Sequence, residues 1–305
     1  MRSMKIPTGQ TNVLISLHRG YGLGDAVQMS AVLRHVVQAH PNWSIDYQAD
    51  QGQHVCGRGI VANTYAYGDR RPKPHYDTEV QIVLYDTWHG YSDRPNTRVS
   101  SCLRERFGLE WNTEYCRYRV DVSTDAAWKV RTLRDKPFVA VHYQGDSSPA
   151  KKNLTHEQAS EVCSEIERLG HVPLILDWRC SSTLEHWRLW SPKTWGSDAE
   201  MVCAVVSQCR AFVGIDSGPG KCASATETPT LVVWTGHHPA PYHDPAPNTT
   251  HLVPQNYHSL EPVCNDLKVV EWFEQNYRVQ QYSIDPVLEV KEWLARTLPR
   301  TQSRD

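Results

Sequence analysis

The sequence predicts an α/β fold built on parallel sheets, in two units of similar size joined near residue 134. Three observations predict it. Residues 13–17 form a short apolar run that ends in a glycine-rich turn, Gly20 to Gly24, and leads into apolar residues at helical spacing. A second strand at 43–47 completes a βαβ unit, which requires a parallel sheet. The pattern starts again at 138–142, and 305 residues suffice for about two domains at ~100–200 residues each.

Each element follows from local signals. In the first helix Ala26, Met29, Val32, Leu33, Val36 and Val37 recur on one face, and Pro41 with Asn42 stops it. Residues 80–85 read as a buried strand and 98–108 as a helix. In the second unit a polar loop, 145–153, separates strand 138–142 from a helix reaching about Leu169. Thr155 and Gln158 have the spacing of a capping box there, and Gly170 ends the helix. A strand at 172–176, a helix at 198–209 and a strand at 211–215 come next. The turn Ser217-Gly218-Pro219-Gly220 then leads to a short helix and a strand at 231–234. The stretch 237–248, crowded with Pro and His, reads as a surface loop. Asp285 is expected to cap a last helix, 287–298, with Pro286 in its first turn. The expected units are 1–134, 135–282, and a C-terminal helix, 283–305, able to cross back to the first unit.

Composition narrows the function. The chain carries 32 Lys and Arg against 34 Asp and Glu, a net charge of −2, with no basic stripe, so nucleic acid is not an expected partner. Its longest apolar runs fall far short of the ~20 residues needed to cross a bilayer. The first ten residues lack the apolar core of a secretory signal. Nine cysteines, none in C-x-x-C spacing, read as small buried thiols of a cytoplasmic protein.

Three places could carry chemistry. The first is the turn Gly20-Tyr21-Gly22-Leu23-Gly24-Asp25. Its G-x-G-x-G-D spacing differs from the G-x-G-x-x-G of dinucleotide-binding turns, and it sets an acid where a pyrophosphate would lie. Asp25 is read equally well as a helix cap or as a carboxylate at the carboxyl end of a strand, where open α/β sheets bind ligands. The second is the turn Asp216-Ser217-Gly218-Pro219-Gly220-Lys221, which offers small residues, a hydroxyl and a cation to a diphosphate. The third is the loop containing Ser147, Lys151 and Lys152, whose lysines could meet phosphate as point charges. His237, His238, His243 and Asp244 offer metal-ligating atoms but lack helical i, i+4 pairing, and no metal is expected. Trp187, Trp190 and Trp195 could stack on a base or sugar, or serve as packing.

Together these segments resemble glycosyltransferase family 9, the ADP-heptose:lipopolysaccharide heptosyltransferase group with the GT-B fold, two Rossmann-like domains facing each other across a cleft. The N-terminal match runs from Gly22 to Arg34, similar to the family's G-x-G-D segment and helix. The C-terminal match runs from Val213 to Pro239, similar to its D-[ST]-G-P-x-H turn, helix, strand and G-x-T-x-P loop. Asn153 and Leu154 depart from the family's K-x-W-P stretch, and Lys221 replaces its histidine.

The resemblance implies an inverting, metal-independent transfer of a sugar, heptose or related, from a nucleotide diphosphate sugar to a glycan, lipid, protein or small-molecule hydroxyl. It implies no cofactor, and a cytoplasmic enzyme or one resting on the inner membrane surface. It maps the general base onto Asp25 beside Gly22 and Gly24, and the donor-binding acid onto Asp216. The phosphate turn maps onto Ser217, Gly218 and Pro219, the phosphate lysine onto Lys151, and a hydroxyl near the phosphates onto Ser147. Lys221 would add charge for the leaving diphosphate. A nucleotide-sugar epimerase of the same fold, or a silent sugar-nucleotide or glycan-binding protein, are the alternatives.

Overall fold

The structure is a computed structural model, and it describes residues 10–84, 97–145, 148–177, 183–184, 188–190, 199–260 and 267–299. In the N-terminal half, β1 (Thr11–Leu17), α1 (Leu23–Ala39), β2 (Trp43–Ala49), α2 (Gln53–Gly57), β3 (Asn63–Ala66) and β4 (Thr78–Ile82) precede α3 (Arg98–Phe107), α4 (Thr113–Cys116) and α5 (Thr124–Lys129). The strands form a four-stranded sheet in the order β3-β2-β1-β4, parallel throughout.

The C-terminal half contains β5 (Phe138–His142), α6 (Pro149–Lys152), α7 (His156–Arg168), β6 (Val172–Leu176), β7 (Arg188–Trp190), α8 (Ala199–Gln208) and β8 (Ala211–Ile215). It continues through α9 (Gly218–Ser224), β9 (Thr230–Val233), α10 (Pro239–Tyr242), β10 (Thr249–Pro254), α11 (Leu267–Asn276), β11 (Arg278–Tyr282) and α12 (Val287–Thr297). Its seven strands run parallel in the order β11-β10-β9-β8-β5-β6-β7. Every residue of β5, β8 and β9 is buried, which is why these strands read as unbroken apolar runs rather than alternating ones.

Helix ends follow the capping chemistry. Thr155 accepts the Gln158 N–H while the Gln158 side chain accepts the Thr155 N–H, closing the expected capping box. Gly108 and Gly170 adopt φ of 63° and 83° just beyond α3 and α7. The last helix differs slightly from expectation. Pro286 occupies its cap position, and the Asp285 carboxylate still accepts the Val287 N–H at 3.0 Å.

Three expectations are corrected. The C-terminal helix α12 does not cross back. Its Val290, Trp293 and Leu294 join Val162 and Ile166 of α7 in the core of its own half, and Lys291 pairs with Glu161. The stretch 237–248 is not a surface loop, for His238, Ala240, His243, Asp244 and Ala246 are buried within it. The His243 ring packs on Trp234 and the His238 ring on Tyr257 and Phe273, so this apolar and aromatic setting takes in a segment whose composition suggests exposure. The fourth strand spans Thr78–Ile82 rather than 80–85, because Asp77 already joins the sheet edge by accepting the Asn12 N–H. Residue 85 lies outside the described residues.

The two halves share a core. One apolar cluster runs from Val13 and Ile15 through Val27 and Ala31 to Val202, Val206, Phe212 and Cys222. The seven described cysteines are buried thiols.

Candidate functional site

A cavity of about 480 Å³ opens between the halves, where β1 and β8 both end. Its N-terminal wall contains Gly20 to Asp25, Gln51 and Arg98. Its C-terminal wall contains His142, Gly145, Lys152, Asp216 to Pro219, Lys221 and Tyr242. Parallel sheets direct their strand ends toward such crevices, and the segments that bring Asp25, Lys152, Asp216 and Lys221 here each follow a strand at its carboxyl end.

Glycines let the walls approach. A Cβ on Gly24 would stand 3.2 Å from Lys221 Cδ and 3.4 Å from Gly218 Cα. One on Gly218 would stand 3.0 Å from Leu23 Cβ and 3.1 Å from the Gly24 nitrogen. These glycines therefore serve direct contact between backbones of the two halves, beside the cavity. Gly22 caps α1 by its backbone alone, and the Asp25 carboxylate reaches back to accept the Gly22 N–H at 3.1 Å. The cap reading and the cavity reading of Asp25 are thus both realised. One oxygen, Oδ2, completes the cap, and the half-buried carboxylate also lines the cavity, with Oδ1 3.3 Å from Arg98 Nη1.

On the facing wall Asp216 is buried between two ammonium groups. Lys152 Nζ lies 2.7 Å from Oδ2 and Lys221 Nζ lies 3.2 Å from Oδ1. Burial alone would raise this carboxyl, but Lys221 and Lys152 outweigh it and hold it well below the usual carboxylate range. The Ser217 hydroxyl turns toward the Gly220 N–H at 3.4 Å. At the end of β5, burial lowers the His142 imidazole to about 4 against the opposing pull of Asp177. Three cationic and two carboxylate groups line the cavity, leaving it one net positive charge.

Eight of the expected residues meet here: Gly22, Gly24, Asp25, Asp216, Ser217, Gly218, Pro219 and Lys221. Lys151 does not. The one-turn helix α6 starts from Ser148, which adopts φ 54°, and the Lys151 backbone is pressed against Gly236, where a Cβ would come within 2.7 Å of the Lys151 carbonyl oxygen. That contact leaves the Lys151 side chain exposed and sends Lys152 inward, so the cavity lysine is one position later than expected. Ser147, Trp187 and Trp195 lie outside the described residues, and of Trp190 only the backbone is described, at the end of β7. Among the described residues no group of three His, Cys, Asp or Glu side chains is arranged to hold a metal ion. His238 and His243, considered as ligands, are buried among aromatic rings, while the His237 ring lies tilted against Tyr242. No helix among them is long and apolar enough to cross a membrane.

Arg98 and Tyr242 are site residues that the sequence does not announce. Arg98 is the first residue of α3, capped by Thr97, and its guanidinium lies 4.1 Å over the Tyr242 ring.

The geometry defines a class: two parallel α/β halves with a charged cavity between their strand ends. No family model matches the sequence, and no curated protein matches it. Solved structures do. A glycosyl transferase of family 9 from Veillonella parvula superposes with a TM-score of 0.68 at 13% identity, covering 95% of this chain and 98% of that one. ADP-heptose lipopolysaccharide heptosyltransferase II of E. coli gives 0.61 at 13% identity, over 87% of this chain and 97% of its own. The E. coli heptosyltransferase WaaC, solved with ADP, gives 0.54 at 15% identity, over 87% and 100%. The chain therefore has the GT-B fold of these glycosyltransferases.

Proposed function

We propose that the chain is an inverting, metal-independent glycosyltransferase, moving a heptose or related sugar from a nucleotide diphosphate sugar to an acceptor hydroxyl. The observation that carries this reading is one cavity with a carboxylate on its N-terminal wall and a pair of lysines on the other. Asp25 takes the proton of the acceptor hydroxyl as its oxygen attacks the anomeric carbon. The bond from that carbon to the diphosphate breaks, and Lys152 and Lys221 neutralise the charge that gathers on the leaving group. Asp216, which holds both ammonium groups, keeps them in place before the donor enters and faces its sugar afterwards. The cavity volume falls within the ~300–1,000 Å³ of small-molecule sites. The ADP held by the E. coli structure makes adenosine diphosphate sugars the first donors to try.

Incubation with a panel of labelled nucleotide sugars and candidate acceptors, read by mass spectrometry, tests the reading. Transfer to an acceptor is expected, and Asp25→Ala should lose about 10²–10⁴-fold in turnover at unchanged nucleotide diphosphate affinity. Release of an epimer without transfer would identify a nucleotide-sugar epimerase instead. Tight binding without turnover would identify a binding protein. Wild-type transfer by Asp25→Ala would remove that residue from the chemistry.

A further inference from the structure

We infer that Arg98 is the positioning residue of Asp25, and that Tyr242, from the other half of the chain, clamps it there. The inference rests on the reading of Asp25 as base. Arg98 is buried, and its Nη1 reaches Asp25 Oδ1 at 3.3 Å while the Gly22 N–H holds Oδ2 at 3.1 Å. The carboxylate is thus fixed by one contact on each oxygen, which sets the direction of its remaining lone pairs.

The guanidinium is itself fixed from across the domain boundary. Its carbon lies 4.1 Å over the Tyr242 ring, a cation–π contact largely withdrawn from water. Tyr242 is held in turn by the first half, since Gln28 of α1 donates to its carbonyl oxygen at 2.6 Å. The root of Arg98 is tied to the same segment, because the Thr97 hydroxyl donates to Asp244 Oδ1 at 3.0 Å. Arg98 therefore has both its backbone and its charge referenced to residues 242–244 of the C-terminal half. That half also holds Lys152 and Lys221. The contacts make the orientation of the base depend on the presence of the donor-facing wall, so Asp25 is aimed only when the two halves are together.

The test is a double-mutant cycle on transfer, with long incubations so that residual activity of Asp25→Ala is measured. Arg98→Met should lower kcat by about 10²-fold, the cost of a misplaced catalytic group, with the KM for donor and the nucleotide diphosphate affinity unchanged. Arg98→Lys should recover part of that loss. In the Asp25→Ala background Arg98→Met should change nothing further. Tyr242→Leu should lower kcat in the same sense, and Tyr242→Phe, which keeps the ring, should retain most of it. An equal loss from Arg98→Met in both backgrounds would assign Arg98 to the substrate directly and overturn the inference. So would wild-type kcat for Arg98→Met, or for Tyr242→Leu should the arginine variants fail to fold. If Asp25→Ala alone transfers at the wild-type rate, the assignment of the base falls first and Arg98 has nothing to position.

Discussion

Acidification should unfold this protein through its buried histidines. Burial lowers His142, His238 and His243 to about 4 and His251 well below the ordinary imidazole value of 6.5. Two of these rings also accept hydrogen bonds. His238 Nδ1 accepts the Ala240 N–H at 3.2 Å and His251 Nδ1 accepts the indole N–H of Trp234 at 3.0 Å, so each ring is neutral with its proton on Nε2. Protonating Nδ1 would turn an acceptor into a donor facing a donor. The unfolded chain takes up protons from pH 6.5 downward, whereas the folded chain refuses them until about 4, so each such imidazole favours the folded state above 6.5 and loses that advantage as pH falls. A depression of this size amounts to about 3 kcal/mol per ring.

Asp244 works in the opposite direction. Burial raises its carboxyl to about 6, against the hydrogen bonds from Trp111, Thr97 and Tyr118. The folded state therefore holds a proton there between about 4 and 6 that the unfolded chain has released, which returns about 3 kcal/mol on acidification. One carboxyl offsets one imidazole, and the remaining rings outweigh it. The loss between pH 6.5 and 4 is thus comparable to the ~5–15 kcal/mol stability of an ordinary domain. Thermal melts followed by circular dichroism across pH 4 to 8 should show a nearly level midpoint above 7, then a steep fall below 6.5. A midpoint that holds steady or rises toward pH 4 would refute the reasoning.

Other expectations concern the cavity and its walls. Lys152→Ala should weaken nucleotide diphosphate binding in calorimetry, while Lys151→Ala should leave it unchanged; the reverse would restore the lysine first expected. Gly218→Ala sets a Cβ 3.0 Å from Leu23 Cβ, so it should cost about 1–3 kcal/mol in denaturant unfolding, with an accompanying loss of nucleotide affinity. Thr155→Ala removes a helix cap remote from the cavity and should cost about 1 kcal/mol with no change in transfer or binding.

What was legible in the sequence is what neighbours in the chain decide. The strands Phe138–His142, Val172–Leu176 and Ala211–Ile215 have the limits their apolar runs suggest. Thr155 with Gln158, and Gly108 and Gly170, close helices by contacts spanning a few residues. The two turns at Asp25 and Asp216 were legible for the same reason, each being a short run whose glycines and charges speak for themselves. Both lysines of the loop were legible as phosphate partners; the choice between them was not, because α6 is a single turn in which adjacent residues point about 100° apart. Which of them faces the cavity is set by Gly236, a residue 84 positions beyond Lys152.

The remaining site residues depend on contacts that no local pattern encodes. Gln28 meets Tyr242 across 214 residues of sequence and Thr97 meets Asp244 across 147. Residues 237–248 look like a solvated loop by composition, since prolines and histidines are at home in one. Yet the backbone of this segment finds partners on both halves: the Tyr118 hydroxyl accepts the Asp244 N–H at 2.7 Å, and the Tyr277 hydroxyl donates to the His243 carbonyl. Burying polar groups is tolerable only where such partners exist, and here they exist only when both halves are folded and joined. The polar segment that composition assigns to the surface is therefore the one that couples the halves, and Arg98, whose charge it stabilises through Tyr242, inherits its place from that coupling rather than from its own neighbours in sequence.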